Sequence, residues 1–493
     1  MSNFCITFPL VTEKYQEDIL NKRFEIGRRI YNSLVSVTQK RYNEMVKTKK
    51  YRTIMSELKS LCISNDKSTC TRRKKIYKLL SQMYKDYGLH EYAFHSDVKF
   101  MQKHFEDNID AFTAQKIATS LWAAYSQLLF GEGKSIHYKK YGSMVSLEGK
   151  SNKTGIRFKN NTLLWNGLSV PVKIDNNSLY ELQAMQNPIC FNRVIRRFIR
   201  GKYKFYLQII FKGVPPTKRN KNNGKPKHRI GKGDVGLDIG TQTIAICSKK
   251  DVKLYELADG VQNIENEKIK LLRYMDRSRR CTNPDKFNVD GTYKKFIKTK
   301  WIYSNRYKKA KNKLKELHRK QASIRKLQHE ILANYIISLG DKIYVETMNY
   351  KALQARSKTT TINKNTGRIN KKKRFGKSLA NKAPAMLLEI INRKLSYNGL
   401  ELIKVNTQKV KASQYDHFND NYNKKSLSKR WNDFNGIKIQ RDMYSAFLLM
   451  NVNNDLNSVN REKCIKTFDR FKSLHDKEVK RLKGKQNLSS IGI

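Results

Sequence analysis

The chain has 493 residues, more than one hydrophobic core accommodates, so several domains are expected. Its 101 Lys and Arg against 42 Asp and Glu leave a formal net charge of +59, a self-repulsion that a compact chain sustains only beside a polyanion, and nucleic acid is the polyanion to expect. The 39% hydrophobic and 10% aromatic content excludes a wholly disordered basic chain, no run approaches the roughly 20 apolar residues of a membrane span, and seven scattered cysteines without a C-x-x-C pair argue against disulfides and structural zinc.

The opening MSNFCITFPL lacks a charged-then-apolar signal pattern, and the Lys, Asn and Ile content suits an AT-rich bacterial genome, so a cytoplasmic, nucleoid-associated protein is expected. Residues 2–11 read as a strand. Leu20, Phe24, Tyr31, Leu34, Val35, Tyr42 and Met45 then recur at three-to-four spacing, opening a helical region over 15–130 with breaks at Cys62–Cys70 and Gly88. Over 131–213 the period falls to two in GIRFKN, TLLWNG, SVPVKI and VIRRFIRGKYKFYLQIIF, which predicts antiparallel strands turning at Arg200-Gly201. The Pro-, Gly-, Asn- and Lys-rich stretch 214–233 reads as a linker and domain boundary.

Beyond it, DVGLDIG, TIAICS and VKLYELAD read as three strands. Tyr303, Tyr307, Ala310, Leu314, Leu317, Ile324, Ile331 and Tyr335 mark a long helix, and KIYVETMN is a further strand. After a polar run come the helix APAMLLEIINRKL, the strand LELIKVN, a polar segment over 408–436, a last helix from about Lys438 to Asn451 and a basic tail over 453–493. Strands alternating with helices over 234–407 and 437–452 predict an α/β domain, making the whole a multidomain α+β chain.

Three carboxylates stand out by setting: Asp238 inside an apolar strand, Glu346 at the end of another, and Asp442 at the head of an apolar helix. Singly, each has a plain structural explanation: Asp-Ile-Gly ends many hairpins, a strand-end Glu is commonly exposed, and the macrodipole favours Asp in a first helical turn. Together they fit hydrolysis of a phosphodiester by Mg2+, with Mn2+ the alternative, because rigid elements bring hard carboxylate oxygens to one place.

In order and setting, VGLDIGTQTIAICSKK, IYVETMNYKAL and QRDMYSAFLLMNV resemble the first, second and third RuvC motifs of TnpB proteins and of compact type V CRISPR effectors, over about residues 230–452. The resemblance implies a RuvC/RNase H-like nuclease domain with Asp238, Glu346 and Asp442 as the catalytic, Mg2+-holding acids. It also implies an N-terminal wedge-like β-barrel (1–14 and 131–213) interrupted by a helical recognition domain (15–130). The activity implied is RNA-guided cleavage of double-stranded DNA beside a short motif, by a monomer with a structured guide RNA, in the upkeep of a transposon or IStron.

The chain departs from the family at one place. Family members commonly carry two C-x-x-C pairs for zinc between the second and third motifs, whereas KASQYDHFNDNYNKKSLSKRWNDFNG has no cysteine. Zinc is therefore not expected, His417 is read as a surface residue, and 408–436 as a metal-free lid. Arg306, Lys308, Lys309, Lys311, Lys313, Lys315, Arg319, Lys320, Arg325 and Lys326 on the long helix, the run Lys371, Lys372, Lys373, Arg374, and Arg441 are candidate contacts to nucleic-acid phosphates, against the alternative of solvated charge. Two other functions stay open. One is a guide-dependent DNA-binding repressor that does not cut, whose hallmark is a broken acidic triad. The other is an unguided RNase H-fold nuclease or transposase, which usually orders its acids D, D, E where this chain reads D, E, D.

Overall fold

The structure is a computed structural model that describes residues 2–61, 66–131, 133–294, 299–363, 367, 369–370, 375–424, 426, 429–434 and 436–484. It divides into two compact units, Met1–Pro216 and Thr217–Ile493.

In the first unit, strand β1 (Asn3–Pro9) is followed by helices α1 (Lys14–Lys47), α2 (Lys49–Ser60), α3 (Lys67–Asp86), α4 (Glu91–Lys103) and α5 (Ala111–Leu129). Then come β2 (Ser146–Glu148), β3 (Arg157–Lys159), β4 (Thr162–Trp165), β5 (Leu168–Pro171), α6 (Leu179–Met185), β6 (Ile189–Ile199) and β7 (Lys202–Lys212). The predicted turn between β6 and β7 is present: Arg200 and Gly201 both take positive φ, the pair a two-residue hairpin with right-handed strand twist requires. Along β7, Phe205, Leu207, Ile209 and Phe211 alternate into the core. They meet α1, where Phe24 stacks on Phe205 with ring centroids 6.4 Å apart.

The expected barrel is corrected. Among the described residues the strands form two open sheets, β1-β7-β6-β2 and β3-β4-β5, linked by a single bridge between Leu10 and Val172. The first sheet has β1 and the three-residue β2 at its edges, and no described pairing closes one onto the other. Instead α1 packs on the sheet, its Gly27 set against Leu147 of β2, so helix rather than strand covers the hydrophobic face.

The second unit runs β8 (Asp234–Ile239), β9 (Thr243–Ser248), β10 (Val252–Glu256), α7 (Gln262–Thr282), α8 (Asn305–Leu339), β11 (Lys342–Glu346), α9 (Tyr350–Gln354), α10 (Gly376–Lys382), α11 (Pro384–Ser396) and β12 (Ile403–Val405). It ends with α12 (Thr407–Val410), β13 (Tyr415–Asp416), β14 (Asn421–Tyr422), β15 (Trp431–Phe434), β16 (Ile437–Gln440), α13 (Arg441–Met450) and α14 (Arg461–Lys483). The mixed sheet is ordered β10-β9-β8-β11-β12, antiparallel from β10 to β8 and parallel from β8 to β12. Helices cover both faces. Val235, Leu237, Ile239, Ile343 and Val345 meet α8 and α11 on one side, while Ala245, Cys247, Tyr344 and Val405 meet α13 and α14 on the other.

Two boundaries differ from expectation. The last predicted helix begins at Arg441 rather than near Lys438, because Ile437–Gln440 pair with β15 and the Gln440 side chain caps the helix by accepting from Met443 N at 2.8 Å. The stretch read as a basic tail holds α14, whose Cys464, Phe468, Phe471, His475 and Leu482 are buried; its cations hid an apolar stripe at helical spacing.

Candidate active site

Strand alternation decides where the three acids point. Gly236 and Asp238 of β8 share the face turned to α13, and Glu346 shares that face with Tyr344 of β11. The strands are parallel with Val345 opposite Leu237, so Glu346 and Asp238, each one residue further on, stand side by side at the ends of neighbouring strands. Gly236 lets α13 join them. A Cβ there would lie 1.9 Å from the Ala446 carbonyl oxygen and 2.5 Å from Met450 N, so helix backbone rests directly on strand backbone. Asp442 precedes Ala446 by one helical turn, about 5.4 Å, and Asp238 follows Gly236 by two strand residues, about 6.6 Å, so the first turn of α13 reaches Asp238.

Electrostatics agrees with this convergence. Asp238 keeps a partly exposed edge, yet its carboxyl is so densely surrounded that burial lifts its pKa well above the usual carboxylate range, with the charges of Asp442 and Glu346 adding to the rise. Burial also raises Glu346. Asp442 lies in the first turn of α13, where the macrodipole favours negative charge. Arg441 Nε and Nη2 donate to its Oδ1 at 3.3 Å, and Arg430 Nη1 stands 3.6 Å from Oδ2. Hard oxygens and clustered like charge fit a divalent cation, which would relieve both the repulsion and the lost hydration. Among the described residues, however, no three His, Cys, Asp or Glu side chains are gathered closely enough to hold one as they stand, and Asp442 faces guanidinium groups instead.

The sequence reading missed three neighbours. Ser445, three residues after Asp442, has a buried hydroxyl close enough to the Asp238 carboxyl to favour its charged form. Tyr350, four residues past Glu346, has its pKa raised by burial and then by Asp238. Arg430 comes from the segment read as a lid. The helical i,i+3 spacing signalled Ser445; nothing in the sequence signalled Arg430.

On α8, Arg306, Lys308, Lys309, Lys311, Lys313, Lys315, Lys320 and Lys326 are exposed, with Lys313 paired to Glu267 at 3.1 Å. Arg319 is ion-paired within its helix to Glu316 at 2.5 Å, and Arg325 donates to the Ala380 carbonyl at 2.7 Å and so braces α10. Lys371, Lys372, Lys373 and Arg374 lie outside the described residues.

His417 is corrected from surface to core. It is fully buried, its Nδ1 lies 2.6 Å from the Tyr444 hydroxyl, and Phe418, Phe447 and Phe468 pack around its ring. Burial lowers its pKa to about 4. Two short hairpins, β13-β14 and β15-β16, are thus held on α13 and α14 by packed rings, and Arg461 fastens the first of them by donating to the His417 carbonyl at 3.0 Å. None of the described helices is long and apolar enough to cross a membrane.

No family model matches the sequence, and no curated protein matches it. Among solved structures, the chain is similar to Cas12f1 in a Cas12f1–sgRNA–target DNA complex, with a TM-score of 0.42 and 11% identity over 92% of this chain and 99% of that one. It is similar to the mini-RNA-guided endonuclease CRISPR-Cas phi3, with a TM-score of 0.29 and 12% identity over 91% of this chain and 92% of that one. For a CRISPR-Cas12f ternary complex the TM-score is 0.26 and the identity 13%, over 89% and 82%.

Proposed function

We propose that the chain is an RNA-guided, Mg2+-dependent DNA endonuclease of the TnpB kind, with Asp238, Glu346 and Asp442 as its metal-holding acids in one RuvC-like site. The observation that carries this reading is that Asp238 and Glu346 end neighbouring strands on one face of the sheet and the first turn of α13 carries Asp442 toward them, so that burial and the charges of both partners raise Asp238. Bound ions would supply an activated water and offset charge on the scissile phosphate and the leaving oxygen. The chain's own residues do the rest. The ends of β8 and β11 fix two carboxylates in register, and Gly236 seats the helix that brings the third. Exposed cations of α8 would hold the phosphates of a guide–target duplex by shape and charge. Guide RNA, the short target-adjacent motif, cleavage of both strands, a monomeric state and a transposon or IStron origin rest on the motif resemblance, to which the +59 charge adds support for a nucleic-acid partner.

One observation favours a second reading, a guide-dependent repressor that does not cut: Asp442 is engaged by Arg430 and Arg441. A single experiment separates the two. The protein is purified with its RNA, the RNA is sequenced, and a DNA library with randomised flanks is challenged with and without Mg2+. One abundant RNA with Mg2+-dependent cuts at matched sites, abolished by Asp238→Ala, Glu346→Ala or Asp442→Ala with DNA affinity nearly intact, establishes the endonuclease. Specific RNA and DNA binding without cuts establishes the repressor, and absence of a defined RNA points to an unguided enzyme.

A further inference from the structure

The segment 133–143, GKSIHYKKYGS, lies between α5 and β2 with no helix, no strand and no acidic residue. Such backbone is ordinarily held loosely, but this one is clamped. Asn32 of α1 grips Lys139 from both sides, its Nδ2 donating to the Lys139 carbonyl at 2.9 Å and its Oδ1 accepting from Lys139 N at 2.8 Å. Glu25 accepts from Gly142 N at 3.0 Å and is itself held by Arg28 at 2.7 Å and by the buried Arg196 at 3.1 Å. Arg196 also donates to the Met144 carbonyl at 3.0 Å, and the Lys139 ammonium folds back over Tyr31, 4.4 Å from the ring centre. Within the loop, Ser143 N donates to the Lys140 carbonyl at 3.0 Å, and Gly142 has φ +72, the type II turn whose third residue requires positive φ. Tyr141 sits at the tip of that turn.

The clamp presents two rings to water: Tyr141 is 84% exposed and Tyr138 57%. Exposed Lys134, His137 and Lys140 lie in the same short loop. A single exposed tyrosine is unremarked on most surfaces. Two of them beside a hydrogen-bonded turn, in a loop that carries cations and no acidic residue of its own, have part of their backbone entropy already spent and their rings open to solvent.

We propose that this loop is a base-stacking platform, on which unpaired nucleobases of single-stranded nucleic acid lie against Tyr141 and Tyr138 while Lys140 and Lys134 take neighbouring phosphates. Charge complementarity selects the occupant, and an aromatic face accepts any base without a hydrogen-bond code. Paired bases already stack on one another, so a duplex would meet the lysines alone. The inference does not depend on the nuclease reading, because it concerns binding by the first unit and not cleavage.

The test is fluorescence anisotropy of the full-length protein with oligo-dT, oligo-rU and an abasic oligomer, each about twelve nucleotides long, across several salt concentrations. Tyr141→Ala is expected to weaken the base-bearing oligomers about tenfold without changing the salt slope, and to leave the abasic oligomer unaffected. Tyr141→Phe should bind like the parent, whereas Lys140→Ala should weaken all three and reduce the slope by about 0.7. A greater loss on oligo-rU assigns the platform to RNA, and a greater loss on oligo-dT to an opened DNA strand. Photocrosslinking of 4-thiouridine-substituted oligo-rU should mark the peptide containing Tyr138 and Tyr141. Equal loss on the abasic oligomer, no loss on any oligomer, or crosslinks confined to other peptides would overturn the proposal.

Discussion

Asp238 carries two demands that oppose each other. The proposed metal binding would need its carboxylate charged, while burial and the charges of Asp442 and Glu346 favour the proton. The folded protein thus holds that proton more tightly than the unfolded chain, so the site contributes stability in acid that is lost as pH rises through the lifted pKa. Asp238→Asn removes the titration. In chelator, the variant should melt above the parent in mildly alkaline buffer, with the gap closing as pH falls, as read by differential scanning fluorimetry. His417 has the opposite sign. Its folded pKa of about 4 lies below the ordinary 6.5, so its contribution is present above 6.5 and lost as pH falls toward 4, about 3 kcal/mol in all. His417→Gln should flatten the acid limb of the stability–pH curve, measured by urea denaturation at a series of pH values. The placement of the three acids on β8, β11 and α13 was legible in the sequence because one interrupts, one ends and one heads an apolar run. The burial of His417 was not, because it stands in a largely polar segment and, beside the adjacent Phe418, the rings that enclose it arrive from α13 and α14.

At the scale of elements, the site depends on how closely α13 lies on β8. Gly236→Ala places a methyl group 1.9 Å from the Ala446 carbonyl oxygen, and backbone on both sides cannot yield as a flexible side chain would. The substitution should destabilise the second unit by about 3 kcal/mol and shift Asp442 away from Asp238. Denaturant unfolding and Mg2+-dependent cleavage should both register the change, whereas binding to oligonucleotides at low salt should persist. Period-two runs revealed β3 to β7, short apolar runs revealed β8 and β9, and three-to-four spacing revealed α1 and α8. The open edges of the first sheet and the pairing of Trp431–Phe434 with Ile437–Gln440 were not legible. Both depend on which strand finds a partner, and short polar strands carry no pattern that names one. The apolar stripe of α14 was legible in principle, but it was overlooked beneath the helix's cations.

For the molecule as a whole, +59 is the dominant physical fact. Affinity for nucleic acid should fall steeply with salt, and replacing the exposed Lys308, Lys309 and Lys311 of α8 with Gln should lower the slope of log affinity against log salt by up to about 0.9 per lost phosphate contact. An unchanged slope, measured by filter binding to duplex DNA, would reduce that helix face to solvated charge. The ring-packed hairpins beside α13 and α14 have a different reach. A cysteine-free segment held by stacked rings offers no thiolate for an oxidant to attack or a chelator to strip. The packing of these hairpins on α13 and α14 therefore owes nothing to a thiolate of their own, and it should outlast a zinc chelator that would loosen a cysteine-held segment.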